Sequence, residues 1–336
     1  MTGARPSLNP ALNPALNPSP NPSPNAARDQ PLILHHYDGS PFSEKLRLIV
    51  GFKGLAWRSV KVPVILPKPD VVALTGGYRK TPIVQVGADV YCDTALIARL
   101  IEERAPAPTL YPASAPLAPL LAQWADSTLF WTVIPHALQP AGAAHIFKGL
   151  APEVVKGFAA DRAPFTAGMK RQTAADATAN LGCYLAALDA QLAGGRPWLM
   201  GQDASIADFA VAHCAWYVRR AGPMADVFRP HPHFSAWLDR VLALGHGSPE
   251  RIDSDEALRV AATATLHAKC SVAQGLGFEA GQAVTVTPTD YGQDAVAGTL
   301  VGLSDVEVVV HRQDPRAGTV HVHFPRAGVQ IKQESP

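Results

Sequence analysis

A four-residue motif, Ser40-Pro41-Phe42-Ser43, lies between a short apolar segment at residues 32–34 and apolar residues at helical spacing. It has the form of the redox motif C-P-x-C with serine in place of both cysteines. Serine is favoured at the N-cap and proline at the first helical position, so the pattern predicts a strand, a turn and a helix that begins after Ser40. Backbone N–H groups and the dipole at that helix end favour an anion, such as an ionised thiol.

A second motif occupies residues 78–94. It predicts a strand that opens at Thr81-Pro82, a tight turn, a second strand, and a helix capped by Asp93-Thr94. A cis peptide bond before Pro82 would expose the backbone N–H and C=O of Thr81 to a ligand.

Together these segments resemble the thioredoxin-like N-terminal domain of the glutathione S-transferase family. The resemblance implies that Ser40 activates the thiol of glutathione, as in the serine-type tau- and phi-like classes. It also implies that the backbone of Thr81, before Pro82, pairs with the cysteinyl part of glutathione, and that Asp93 and Thr94 hold its γ-glutamyl end. Thr81 replaces a more usual valine or isoleucine, which a backbone contact tolerates. Thr94 replaces a serine and adds a methyl group beside the γ-glutamyl site.

Tyr37 is the alternative to Ser40 as the activating residue, because some classes of the family use a tyrosine at the end of the first strand. The loop length and the position of Ser40 at the helix start favour Ser40. Tyr37 precedes a turn whose direction the sequence does not give. Both residues are therefore kept as candidates for the catalytic hydroxyl.

A third motif, Ser205-x-x-Asp208, has the spacing of a helix capping box. It resembles a signature of the buried helix in the all-helical domain of the same family, where its role is in folding, so neither residue is predicted as a site residue. Apolar stripes at helical spacing extend from about residue 111 to 245. Aromatic residues in the first of these helical runs, including Trp131, are predicted to belong to the core rather than to a pocket.

The predicted fold is a thioredoxin-like α/β domain and an all-α domain, followed by a small all-β barrel of the SH3-like kind. Short alternating strands after residue 280 and the turns between them predict the third part. The predicted boundaries are a disordered Pro/Asn-rich tail at 1–29, the thioredoxin-like domain at 30–110, the helical domain at 111–245, a linker at 246–261 and the β-domain at 262–336. The tail has no apolar segment of the secretory kind.

The net charge, the cysteines and the histidines of the chain argue against several classes of function. The chain has 29 Lys and Arg against 28 Asp and Glu, a formal net charge of +1, which provides no basic surface for nucleic acid. Its 4 cysteines show no C-x-x-C spacing, so they are predicted to be reduced thiols of a cytoplasmic protein. His311, His321 and His323 fall on predicted strands, but alternating polar residues are typical of a solvated face, so no metal site is predicted.

The sequence thus predicts a detoxifying glutathione transferase that joins the thiolate of glutathione to a small electrophile. Glutathione is its co-substrate, with no further cofactor and no metal. The family resemblance implies a homodimer, and no nucleic-acid or membrane partner is expected. The alternative is a non-catalytic glutathione-binding or scaffolding protein of the same fold, which uses its C-terminal β-domain to bind a partner.

Overall fold

The structure, a computed structural model, describes residues 30–334, so the predicted tail at 1–29 lies outside the described residues. The N-terminal domain has a thioredoxin-like order of strands and helices. Strand β1 pairs in parallel with β2 and antiparallel with β3, and β3 and β4 form the predicted hairpin. The elements are β1 (Ile33–His36), α1 (Pro41–Phe52), β2 (Ala56–Lys61), α2 (Pro69–Thr75), β3 (Ile83–Val86), β4 (Asp89–Cys92) and α3 (Thr94–Arg104).

The second domain is helical, as predicted. Its helices are α4 (Ala118–Trp124), α5 (Phe130–Ala137), α6 (Pro140–Ile146), α7 (Pro152–Arg162), α8 (Ala174–Leu192), α9 (Ile206–Arg220) and α10 (Pro232–Leu242). A π-helical turn, Ala125–Leu129, joins α4 to α5. Helix α9 contributes much of the core, which is continuous with that of α1 and α3. Within residues 30–334, no helix combines the length and apolar character needed to cross a membrane.

A capping box begins α9, as the sequence predicts. Asp208 accepts hydrogen bonds from the backbone N–H groups of Ser205, at 2.8 Å, and Leu199, at 2.9 Å. Its carboxylate also accepts the indole N–H of Trp237 at 2.9 Å. Ser205, Asp208 and Trp237 are all buried. The motif therefore joins the start of α9 to α10 and to the preceding loop.

The third part is a small antiparallel β-domain, preceded by a strand and a helix. The elements are β5 (Ser248–Arg251), α11 (Ser254–Thr263), β6 (Ala283–Pro288), β7 (Val296–Leu303), β8 (Glu307–Asp314), β9 (Gly318–Pro325) and β10 (Val329–Gln333). The segment predicted as a linker, 246–261, thus contains β5, which pairs with β2, and most of α11. The strands of the β-domain follow the order β10-β6-β7-β8-β9.

The β-domain is joined edge to edge with the thioredoxin-like sheet. Strand β9 pairs in parallel with β4, so that one ten-stranded sheet runs through both domains. Both edges of the N-terminal sheet are therefore covered within this chain, β2 by β5 and β4 by β9. A second subunit cannot add a strand at either edge. The homodimer that the family resemblance implies stays a prediction, and it would have to use other surfaces.

Replacing Ser205 with alanine should lower the free energy of unfolding by about 1 kcal/mol or more, because it removes an N-cap from a buried helix. Glutathione binding should be retained. Urea unfolding measures the first effect and retention on immobilised glutathione the second. The matched control is Ser271→Ala at an exposed position, which should change stability by less than about 0.5 kcal/mol. A Ser205→Ala protein of normal stability that no longer bound glutathione would contradict the structural role.

Candidate functional site

A cleft of about 340 Å³ opens between the three domains. Four of the predicted site residues, Thr81, Pro82, Asp93 and Thr94, line one side of it. Helices α4 and α9 and the π-helical turn line a second side, and loops of the β-domain line a third. The predicted binding residues therefore line one cleft. The wall that the β-domain adds to this cleft was not predicted from the sequence.

The backbone of Thr81 is open to a ligand at this cleft. The Thr81-Pro82 bond is cis, as expected. Among residues 30–334 the N–H of Thr81 has no hydrogen-bond partner, and its C=O receives only the Ser40 hydroxyl at the long distance of 3.5 Å. A peptide laid along this segment could form hydrogen bonds to both groups.

Ser40 is the N-cap of α1, and only 1% of its surface is exposed. Its hydroxyl oxygen accepts the backbone N–H of Ser43 at 3.1 Å, while its proton points toward the Thr81 carbonyl. Ser40 lies behind Thr81 rather than on the surface of the cleft. Because the bond to Thr81 is long, the hydroxyl proton can be redirected to a stronger acceptor, such as a thiolate.

Tyr37, the alternative hydroxyl, is half-buried and does not line the cleft. Its hydroxyl lies 3.5 Å from the guanidinium of Arg162 on α7, and its ring lies 5.8 Å from the ammonium of Lys68. It is therefore held by cationic groups beside the cleft. Neither Tyr37 nor Ser40 lines the cleft itself, so both remain candidates for the activating hydroxyl.

Asp93 and Thr94 begin α3 in a constrained arrangement. Asp93 has a φ of 75°, which is uncommon for a residue other than glycine, and its carboxylate accepts the N–H of Ala95 at 2.8 Å. Burial raises the pKa of Asp93. The Thr94 hydroxyl accepts a hydrogen bond from the ammonium of Lys45 at 3.1 Å. Backbone strain of this kind is often found where a ligand is held.

Lys45 carries a positive charge at the bottom of the cleft. Its side chain is fully buried and forms an ion pair with Asp126, which in turn bonds to His213 of α9 at 3.0 Å. Burial alone would raise the pKa of Asp126, but Lys45 and His213 hold it below its ordinary value. The network therefore links the N-terminal domain to the helical domain and fixes the position of Thr94.

Sequence reasoning missed a second lysine beside Thr81. Lys68 is 3% exposed, and its ammonium donates to the Thr81 hydroxyl at 3.0 Å. Burial, together with Arg162 and Arg79, lowers its pKa to about 8. The sequence signal was weak, because Lys68 is the N-cap of α2 and meets Thr81, 13 residues further on, only through the tertiary fold.

Sequence reasoning also missed the wall from the β-domain. The β6–β7 loop, residues 289–295, contributes Thr289, Asp290 and Tyr291 to the lining of the cleft. In the sequence, these residues have only the features of a turn. Trp131, predicted to be a core residue, is half-buried and lies against Tyr291 with ring centroids 5.1 Å apart.

The histidines of the β-domain lie at its junction with β4. His323 and His267 bond to the buried carboxylate of Asp89 at 3.2 and 3.3 Å. Burial would raise the pKa of Asp89, but these hydrogen bonds hold it well below its usual range. His311 lies beside His321, with ring centroids 5.6 Å apart.

Three side chains of this cluster could in principle bind a metal ion. Asp89, His267 and His321 each offer a ligand atom, all within 4.8 Å of one another. The His267 and His321 rings are stacked, however, with centroids 3.8 Å apart and planes 22° apart. An ion bound to both would have to lie close to both ring planes, which parallel rings do not allow. The cluster is arranged as a hydrogen-bonded network, and the absence of a metal site stays a prediction.

Comparison with known proteins identifies the family of the N-terminal and helical domains that form two walls of the cleft. The family model for the glutathione S-transferase N-terminal domain matches residues 34–109, and the model for the C-terminal domain matches residues 139–244. No curated protein matches the chain.

Two solved structures extend the comparison. A GST-like protein from Pseudomonas syringae is 38% identical, with a TM-score of 0.74 over 91% of this chain and 100% of that chain. A glutathione transferase from Phanerochaete chrysosporium, 19% identical, has a TM-score of 0.51 over 64% of this chain and 97% of that chain, and it shows the fold alone. The two family domains and the similarity over nearly the whole chain establish that this protein belongs to the glutathione S-transferase family.

Proposed function

We propose that the protein is a glutathione transferase that joins the thiolate of glutathione to a small electrophile. One observation carries the proposal: the unpaired backbone N–H of Thr81 lies in the cleft, with the Ser40 hydroxyl at the start of α1 directly behind it. A tripeptide that pairs with Thr81 would place its cysteinyl sulfur near that hydroxyl.

The charges of the cleft suit glutathione, which carries two carboxylates and one ammonium group. Arg99 of α3 lines the cleft and provides positive charge there, whereas the charge of Lys45 is paired with Asp126. Lys68 provides a second cation, which lies buried on the far side of Thr81 and donates to the Thr81 hydroxyl. Asp93 offers a carboxylate for the ammonium group. The two carboxylates of the tripeptide can thus lie at opposite ends of the site, with its sulfur between them.

Ser40 would then lower the pKa of the bound thiol. A hydrogen bond to a charged acceptor contributes about 1.5 to 3 kcal/mol, which corresponds to a lowering of the thiol pKa by roughly one to two pH units. The N-terminus of α1 adds its dipole. The thiolate attacks an electrophilic carbon, a C–S bond forms, and the leaving group departs with its electron pair. The chain supplies no nucleophile of its own.

The alternative, a scaffolding protein that binds partners through its β-domain, is not favoured. The loops of that domain face the cleft, where they line the same cavity as Thr81 and Pro82. Such a position is expected of a domain that takes part in substrate binding. The cytoplasmic location belongs to the same proposal, because it rests on reduced cysteines and on a substrate that is abundant there.

Replacing Ser40 with glycine should raise the thiol pKa of bound glutathione by roughly one to two pH units. Glycine is chosen because it is tolerated at an N-cap with a loss of only a few tenths of a kcal/mol. The pKa is measured by titrating thiolate absorbance in the complex. The matched control is Ser43→Ala, since the buried Ser43 hydroxyl has no hydrogen-bond partner among the described residues.

Equal thiol pKa values in wild type and Ser40→Gly would remove Ser40 from the mechanism. If Tyr37→Phe raised the thiol pKa instead, the hydroxyl would be that of Tyr37. An unchanged value in the Ser43→Ala control would show that the effect belongs to position 40 and not to the first turn of the helix in general.

Affinity for S-methylglutathione should fall between pH 7 and pH 9, because Lys68 has a pKa of about 8 and loses its proton in this range. At pH 9 such a group is only about one-tenth protonated, so the affinity should fall by up to about tenfold. The ligand has no thiol, which removes the titration of sulfur. Calorimetry on wild type, Lys68→Met and the exposed Lys332→Met control measures the effect. A pH dependence that Lys68→Met retained would show that the charge of Lys68 does not contact the ligand.

A further inference from the structure

We propose that the β6–β7 loop forms the aromatic wall of the electrophile subsite, and that Tyr291 thereby makes this protein selective for flat aromatic electrophiles. The inference rests on the proposed transferase function and adds to it a substrate class and a role for the third domain.

The loop lies in the cleft and is anchored there. Asp290 forms an ion pair with Lys80 at 2.7 Å, and Lys80 is the residue directly before Thr81. Gly292 has a φ of 60°, and a Cβ at that position would lie 3.3 Å from the ring of Phe165. The backbone therefore approaches the helical domain more closely than most side chains would permit. The loop is fixed at both the N-terminal and the helical domain.

Tyr291 completes an aromatic cluster drawn from the helical domain and the β-domain. Its ring lies edge-on to Trp131 at 5.1 Å and 86°, and it lies 5.8 Å from the ring of Phe165. The ammonium of Lys80 lies 4.5 Å from the Tyr291 ring centroid. Trp131 and Phe165 come from the helical domain, whereas Tyr291 comes from the β-domain. Of these three rings, Tyr291 is the one that lines the cleft, so a flat ring entering the cleft would meet the Tyr291 ring, which packs against Trp131 and Phe165.

The chemistry of the wall favours aromatic rings with electron-withdrawing groups. The Lys80 ammonium lines the cleft 4.5 Å from the Tyr291 ring and would attract the partial negative charge of a nitro substituent on a ring stacked there, in addition to its ion pair with Asp290. An ordinary phenol, with a pKa of about 10, is already protonated at neutral pH and can donate a hydrogen bond, and burial raises the pKa of Tyr291 further. In aryl transfer, the sulfur of glutathione bonds to a ring carbon, the electron pair moves into the ring and its substituents, and chloride then leaves with its own pair. Both groups would stabilise that negative charge.

The test compares the affinities of two glutathione conjugates, so that it does not depend on turnover. S-methylglutathione probes the tripeptide site alone, whereas S-(2,4-dinitrophenyl)glutathione probes the tripeptide site and the aromatic subsite together. Calorimetry gives the ratio of the two affinities in wild type and in each variant. The variants are Tyr291→Ala, Tyr291→Phe and the exposed loop control Gln293→Ala.

We expect wild type to prefer the aryl conjugate, and Tyr291→Ala to lose about fivefold to tenfold of that preference with little change in affinity for S-methylglutathione. Tyr291→Phe should keep most of the preference, because it retains the ring, and Gln293→Ala should keep all of it. With turnover as a second readout, Tyr291→Ala should lose activity with 1-chloro-2,4-dinitrobenzene while retaining activity with iodoethane.

Two results would overturn the inference. One is an aryl preference that Tyr291→Ala retains, which would place the subsite elsewhere. The other is an equal loss of both affinities, which would make Tyr291 a structural residue. Failure of wild type to bind S-methylglutathione would instead refute the proposed function itself, so the two failures are distinguishable.

Discussion

The pairing of β4 with β9 decides where the third domain lies. Asp89 is in register with His321, and Tyr91 with His323, so the two domains share backbone hydrogen bonds along a common edge. The buried carboxylate of Asp89 also accepts the N–H of Ala268 at 2.7 Å, in the segment that leads into the β-domain. A strand paired in this way cannot slide without breaking the ladder and turning its side chains to the wrong face. From this fixed position, the β6–β7 loop reaches the cleft.

A network of buried charged side chains holds the N-terminal and helical domains, which form the other two walls of the cleft, in fixed positions relative to each other. Lys45 of α1 lies between Thr94 at the start of α3 and Asp126 of the helical domain, and His213 bonds to the same aspartate. Buried ion pairs of this kind contribute little net stability, but breaking one of them costs several kcal/mol, so they hold the groups that they join in one arrangement. The binding residues of the N-terminal domain are thereby kept at a constant distance from the helices that face them.

The parts of the site that the sequence predicted are those built from local structure. Ser40 and Pro41 cap α1, and Asp93 caps α3, because capping depends on only a few neighbouring residues. The spacing of Ser205 and Asp208 likewise gave a capping box that the structure confirms. Each of these predictions needed only a short window of sequence and the known preferences of serine, aspartate and proline.

The parts that the sequence did not predict depend on contacts between distant residues. Lys80 meets Asp290, and Trp131 meets Tyr291, in a β-domain that the pairing of β9 with β4 helps to position. The alternating strand pattern predicted the small β-domain, but nothing in that pattern says which edge it will join, so its pairing with β4 was not predicted. Lys68 was missed for the same reason, since it approaches Thr81 through the fold of the α2 region.

The proposed mechanism depends on where glutathione lies in the cleft. A crystal structure of the complex with glutathione is the most direct test. We predict that the backbone of its cysteinyl residue pairs with the N–H and C=O of Thr81, with the sulfur within hydrogen-bond distance of the Ser40 hydroxyl and facing the Tyr291 ring across the cleft. A tripeptide bound elsewhere, or one whose sulfur points away from the start of α1, would contradict the account.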